Sequence, residues 1–116
     1  MSPLITTGQR ALLLANGAAF ARNENFDPYP VLKLFTPDGS ATWLLASLDP
    51  DAPDVAFACC DLGLGSPELG SVLLSEIAAV RGRLGLPVER DLHFTATKPL
   101  SAYAREARVR GASVTG

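Results

Sequence analysis

A chain of 116 residues that is 47% apolar and 19% charged has the length and composition of one domain with its own core, and needs no disulfide or metal staple. Its longest apolar run in the first expected helix, Ala11–Ala15, falls far short of the roughly 20 residues of a membrane span, and Met1–Thr7 lacks the basic residues and apolar core of a signal peptide. These features predict a cytoplasmic protein with no membrane partner. The net charge of −2 is unevenly divided: residues 1–80 carry three basic against nine acidic side chains, and residues 81–116 seven against three.

Thr6 and Gln9 stand in capping-box spacing, which predicts a helix over Thr7–Arg22. Leu12, Ala19 and Phe20 are expected on its inner face with Asn16 nearby, and Gly17 is a point at which the helix could stop. Asn23–Pro30 is a connection, because the residues before Pro28 and Pro30 are held extended. Val31–Thr36 and Ala41–Leu48 are expected to form a hairpin across Pro37-Asp38-Gly39. The second strand carries bulk on both faces, Leu44 and Leu48 on one and Trp43 and Leu45 on the other. A strand apolar on both sides must be covered twice, by helices or by a second subunit.

Asp49-Pro50-Asp51-Ala52-Pro53-Asp54 reads as a solvated acidic loop. Its Asp-x-Asp start suggests calcium, yet Pro53, Asp54 and Cys60 stand where an EF-hand needs an oxygen ligand, a glycine and a glutamate. Val55–Leu62 is a buried strand. Within it the adjacent Cys59 and Cys60 point to opposite faces as reduced thiols. Gly63–Glu68 matches neither a phosphate-binding loop nor a dinucleotide fingerprint and reads as a sharp bend before a short strand, Leu69–Leu73. No motif calls for a cofactor.

Leu73, Ile77, Val80 and Leu84 recur as the stripe of a central helix beginning near Leu74, whose docking on the sheet is the expected main core event. Gly82 is placed to end it in a left-handed conformation, with Arg81 and Arg83 near its terminal carbonyls. Period two follows. Val88, Arg90, Leu92 and Phe94 would share one face of a strand, and Glu89, Asp91 and His93 the other. After a connector, Thr95–Pro99, a last helix begins at Leu100 or Ser101, packs through Ala104 and Ala107, shows Arg105, Arg108 and Arg110 outward, and ends at Gly111. Residues 111–116 should fray. The whole predicts a single α+β domain over residues 1–116, a mainly antiparallel sheet of four or five strands with three helices packed on it.

Three ordered motifs resemble the bacterial domain of unknown function 2958 family over nearly the whole length. They are Lys33-Leu34-Phe35-Thr36-Pro37-Asp38-Gly39 with Thr42-Trp43, then Pro67-Glu68-Leu69-Gly70-Ser71, then Arg81-Gly82-x-Leu84-Gly85-Leu86-Pro87-Val88-Glu89-Arg90-Asp91-Leu92-His93-Phe94. The resemblance implies an accessory role on plasmids and integrative elements and carries over no catalytic residue. Family members often place a serine cap where this chain has Leu73.

Candidate site residues are few. Glu89, Asp91 and His93 in a row could bind a divalent metal or divide acid and base roles, which would make a metal-assisted hydrolase, although a half-exposed strand has the same polar face. Arg90, on the apolar face, should pair with Asp61 or Glu68. Trp43 with Phe35 and Tyr29 could form an aromatic platform, although core packing suits them better. Arg105, Arg108 and Arg110 could bind nucleic acid. The leading expectation is a non-enzymatic module whose partner is another protein, with a homodimer as one form of it.

Overall fold

The structure, a computed structural model, describes residues 4–62 and 67–110, the last without its side chain. Its elements run α1 (Thr7–Arg22), β1 (Leu32–Phe35), β2 (Thr42–Asp49), β3 (Ala52–Asp61), β4 (Glu68–Leu73), α2 (Leu74–Ala79), β5 (Glu89–Arg90) and α3 (Leu100–Arg110). The five strands form one antiparallel sheet in the order β4-β3-β2-β1-β5, the α+β architecture expected. The bend at residues 63–66, the outward direction of Arg110 and the tail 111–116 lie outside the described residues and side chains.

The core is built around β2, where every residue from Thr42 to Leu48 is buried. On one face Trp43, Leu45 and Leu48 pack with Ile5, Leu13, Ile77 and Val88. On the other Leu44 and Ala46 pack with Cys59 and with Leu100, Tyr103, Ala104 and Ala107 of α3. Both apolar faces are thus covered within one chain, and the reason the sequence offered for self-association is met internally. Leu48 lies on the face opposite the expected one. Leu45 pairs with Ala58 and Ser47 with Phe57, so Ala46 is an extra residue on β2 that shifts the alternation.

Beyond Leu45, opposite which β1 begins, the edge of β2 is met by α1. Asn16 Nδ2 donates to the Ala46 carbonyl at 2.8 Å. A Cβ on Gly17 would stand 1.8 Å from the Leu48 carbonyl oxygen. This explains why the helix runs through Gly17 instead of stopping there: the glycine lets backbone meet backbone. It also rotates the inner face from the expected one, so that Leu13 and Gly17 are buried and Leu12 is exposed. The capping box forms as read, Thr6 Oγ1 accepting from Gln9 N at 3.0 Å and Gln9 Oε1 from Thr6 N at 2.9 Å.

The acidic stretch is a tight hairpin turn, not a long loop. Asp49 pairs with Ala52, and Asp49 Oδ1 accepts from Asp51 N at 2.9 Å. Asp54, already in β3, serves α2. Leu73 makes no side-chain cap there, and the Asp54 carboxylate instead accepts from Ser75 N at 3.1 Å and Ser75 Oγ at 2.7 Å. Asp27 does the same for α3, accepting from the backbone N–H and the hydroxyl of Ser101. Carboxylates from distant segments thereby take up orphan helical N–H groups.

Other expectations fail in the stretch from α2 to β5. The central helix ends at Ala79 because Val80 turns extended and Arg81 bridges to Pro87 in a small hairpin; of the expected stripe only Ile77 is fully buried, and Leu84 is 79% exposed. The positive φ falls at Gly85, not Gly82. The charged strand is two residues long, because the Asp91 carboxylate accepts from His93 N at 2.9 Å and bends the chain. Leu92 is therefore 77% exposed instead of lying on a core face.

Cys59 is buried on the α3 face and Cys60 packs on the other, both as free thiols. Burial, then the neighbouring Cys60, push the Cys59 thiol up to about 11 from 9.0. Burial and Glu68 raise Cys60.

Gly17→Ala should destabilise the protein by about 3 kcal/mol in urea unfolding, whereas Gly8→Ala, with open space at its Cβ, should be neutral or stabilising by up to about 1 kcal/mol. The Cys59 contribution follows from its proton. Below pH 9 both folded and unfolded chains hold it, and above pH 9 only the unfolded chain releases it readily. Unfolding free energy should therefore fall between about pH 9 and 11, by an amount on the order of 2 kcal/mol. Cys59→Ala should flatten that slope, measured as the urea midpoint against pH.

Candidate functional site

An open groove of about 700 Å3 lies on the α1 face of the sheet beside β5. Four pieces of chain wall it: Leu4 and Ile5 with Arg10; Leu74, Ser75 and Ala78 of α2; Arg81 and Pro87; and Val88 to Arg90 with Leu92. Apart from Arg10 on α1, none of these pieces belongs to a long element, so their relative position depends on specific bonds. Arg90 Nη1 donates to the Leu4 carbonyl at 3.0 Å and ties the N-terminal segment to β5. Asp54 fixes the start of α2. Arg81 Nη1 donates to the Ala78 and Val80 carbonyls at 2.9 and 2.8 Å, closing its end.

The remaining wall is held from the β1–β2 turn. Asp38 Oδ2 accepts from Leu84 N at 2.6 Å and from Leu86 N at 3.3 Å. Gly82 lies so close that a Cβ there would stand 1.7 Å from Asp38 Oδ1. The turn motif and the Arg81–Pro87 motif are thus two halves of one clamp.

The structure divides the residues singled out from the sequence. Glu89 and Arg90 line the groove. Asp91 lines a different, smaller hollow with Lys33, their charged atoms 4.0 Å apart. His93 is exposed in the turn. Glu89, Asp91 and His93 therefore do not converge, and among the described residues no group of three His, Cys, Asp or Glu side chains could hold a metal ion. Arg90 meets the Leu4 carbonyl instead of the expected carboxylates. Its row across the sheet runs Leu34, Trp43, Cys60, Glu68, which puts Glu68 four strands away, and Asp61 follows Cys60 on the opposite face. Trp43 is core, Tyr29 is exposed, and the aromatic contacts are instead Phe20 on Phe57 and Phe94 on Tyr103.

Nor do the described basic side chains of the last third form one patch. Arg81 and Arg90 line the groove, whereas Arg105 and Arg108 sit on α3 across the sheet, with Arg108 Nε donating to the Pro67 carbonyl at 3.2 Å. Lys98 pairs with Glu106 and lies over the Tyr103 ring. Arg10, Arg81 and Leu92 are among the groove residues that sequence reasoning did not assign to a site. They are spread across more than 80 positions, and the sole local sign of the clamp was a turn aspartate followed by glycine.

The family model described as a protein of unknown function, DUF2958, matches residues 4–114. The chain belongs to the DUF2958 family. Searches of curated proteins and of solved structures gave no match. In this DUF2958 protein the two longest motifs noted in the sequence are the two halves of the Asp38 clamp.

A double-mutant cycle tests the clamp. Gly82→Ala alone should cost about 1–3 kcal/mol because its methyl meets the Asp38 carboxylate. In the Asp38→Ala background the same change should cost little, giving a coupling of at least about 1 kcal/mol in urea unfolding. Additive costs would show that the two positions do not touch.

Proposed function

We propose that this DUF2958 protein is a non-enzymatic interaction module that binds another protein through the groove between α2 and β5, as a cytoplasmic accessory of a bacterial plasmid or integrative element. The observation that carries the reading is the groove itself. It is open, mainly apolar, and lined by Leu92 with 77% of its surface exposed. A large apolar side chain held out to solvent beside a concave apolar wall is the form of a protein-contact site. The accessory role is what the resemblance of its motifs to the family implies.

Capture of partners from a bacterial lysate, with and without nuclease, tests this with three baits. The wild-type protein should retain one dominant protein that survives nuclease. Leu92→Asp, a change at an exposed position that should leave the melting temperature unaltered, should lose it. The double variant Arg105→Ala, Arg108→Ala should keep it. Retention of nucleic acid that disappears with the α3 arginines and not with Leu92→Asp would overturn the proposal in favour of nucleic-acid binding.

A further inference from the structure

The groove has a charge character that narrows its occupant. Among the described residues Arg10, Arg81 and Arg90 line it against a single acidic side chain, Glu89, in a protein whose net charge is −2. Three arginines around one concavity raise the local potential and favour an anionic partner. The apolar side chains of the lining that a partner would touch are aliphatic, Leu4, Leu74 and Leu92, with the buried Ile5 and Val88 completing the wall. Among the described residues no aromatic side chain lines the groove, so it offers bases nothing to stack on, which is how single-stranded nucleic acid is ordinarily held. Carboxylates alternating with branched aliphatic side chains match both features at once.

Resting on the reading of the groove as a protein-contact site, we propose that its occupant is an acidic, leucine-rich peptide segment of a partner protein, whose carboxylates meet Arg10 and Arg81 while its aliphatic side chains cover Leu92 and Leu74. Arg90 keeps the site shaped through the Leu4 carbonyl and adds to the field.

The test is a titration of isotope-labelled protein followed by backbone amide shifts, which registers even millimolar binding. Three short peptides carry the same leucine spacing with glutamate, glutamine or lysine between. The glutamate peptide should shift the amides of Leu4, Ile5, Ala78 and 88–92, bind at least about tenfold more tightly than the other two, and weaken as salt rises. Arg10→Glu, at an exposed position of α1, should lose that tenfold preference, and Leu92→Asp should lose binding of all three. If the glutamine or lysine peptide binds as well and still depends on Leu92, the acidic occupant is wrong and the groove remains a contact site. If no peptide shifts the groove amides, both proposals fail. Displacement of the glutamate peptide by lower concentrations of a short oligothymidylate would show that the site reads phosphates, and a groove-blocked dimer in sedimentation would show that its occupant is a second copy; either outcome overturns the inference.

Discussion

The fold depends on one strand being buried from every side. β2 is apolar on both faces, so it needs a layer above and a layer below, and α3 and α1 with α2 supply them. Its third exposure is the one less easily satisfied. Past Leu45 its carbonyls are left without β1 as a neighbour, and a buried carbonyl without a donor costs about 1–3 kcal/mol. Asn16 supplies a donor to Ala46, and Gly17 leaves out a side chain that would collide with the Leu48 carbonyl. A helix interior normally rejects both glycine and asparagine. Here the local cost is offset by a tertiary contact that a better helix former could not make.

Acidic side chains do the corresponding work around the rim. Asp27, Asp38 and Asp54 each accept backbone N–H groups from segments 21 to 74 positions away. Such bonds define where short pieces of chain sit when those pieces are too short to hold themselves in place: α2 is six residues long and β5 two. The groove follows from this. Its walls are pinned at Leu4 by Arg90, at α2 by Asp54 and Arg81, and at the 81–87 hairpin by Asp38, which leaves the space between them open and its arginines around one concavity.

How far the sequence discloses this depends on the range of the interaction. The Thr6–Gln9 cap, the Pro37-Asp38-Gly39 turn and the double burial of Thr42–Leu48 are local or compositional, and each was legible. The bulge at Ala46 was not, because nothing in the residues distinguishes it from regular alternation. Leu73, Ile77, Val80 and Leu84 fit a helical period by coincidence. Their spacing says nothing of Asp38, which holds residues 82–86 in a hairpin from 46 positions away. The alternation from Val88 to Phe94 failed for a subtler reason: Asp91 makes its own turn with His93, and period two does not weigh that competing bond. Of the residues suspected of function, Glu89 and Arg90 reach the groove. Their companions Arg10 and Arg81 could not be found by spacing, since only the folded chain brings them together.

The account stands on the groove being preformed, with its outer wall held by Asp38, and residue-resolved amide hydrogen exchange in the native protein tests this most directly. The amides of Leu84 and Leu86 belong to exposed side chains in a loop, and an unclamped loop would exchange them at nearly the unprotected rate. The account predicts protection at both that approaches that of Leu44–Leu48 in β2 and is lost together with it as denaturant is added. Exchange at Leu84 and Leu86 as fast as in a free peptide would contradict it, showing a wall that is not in place before a partner arrives.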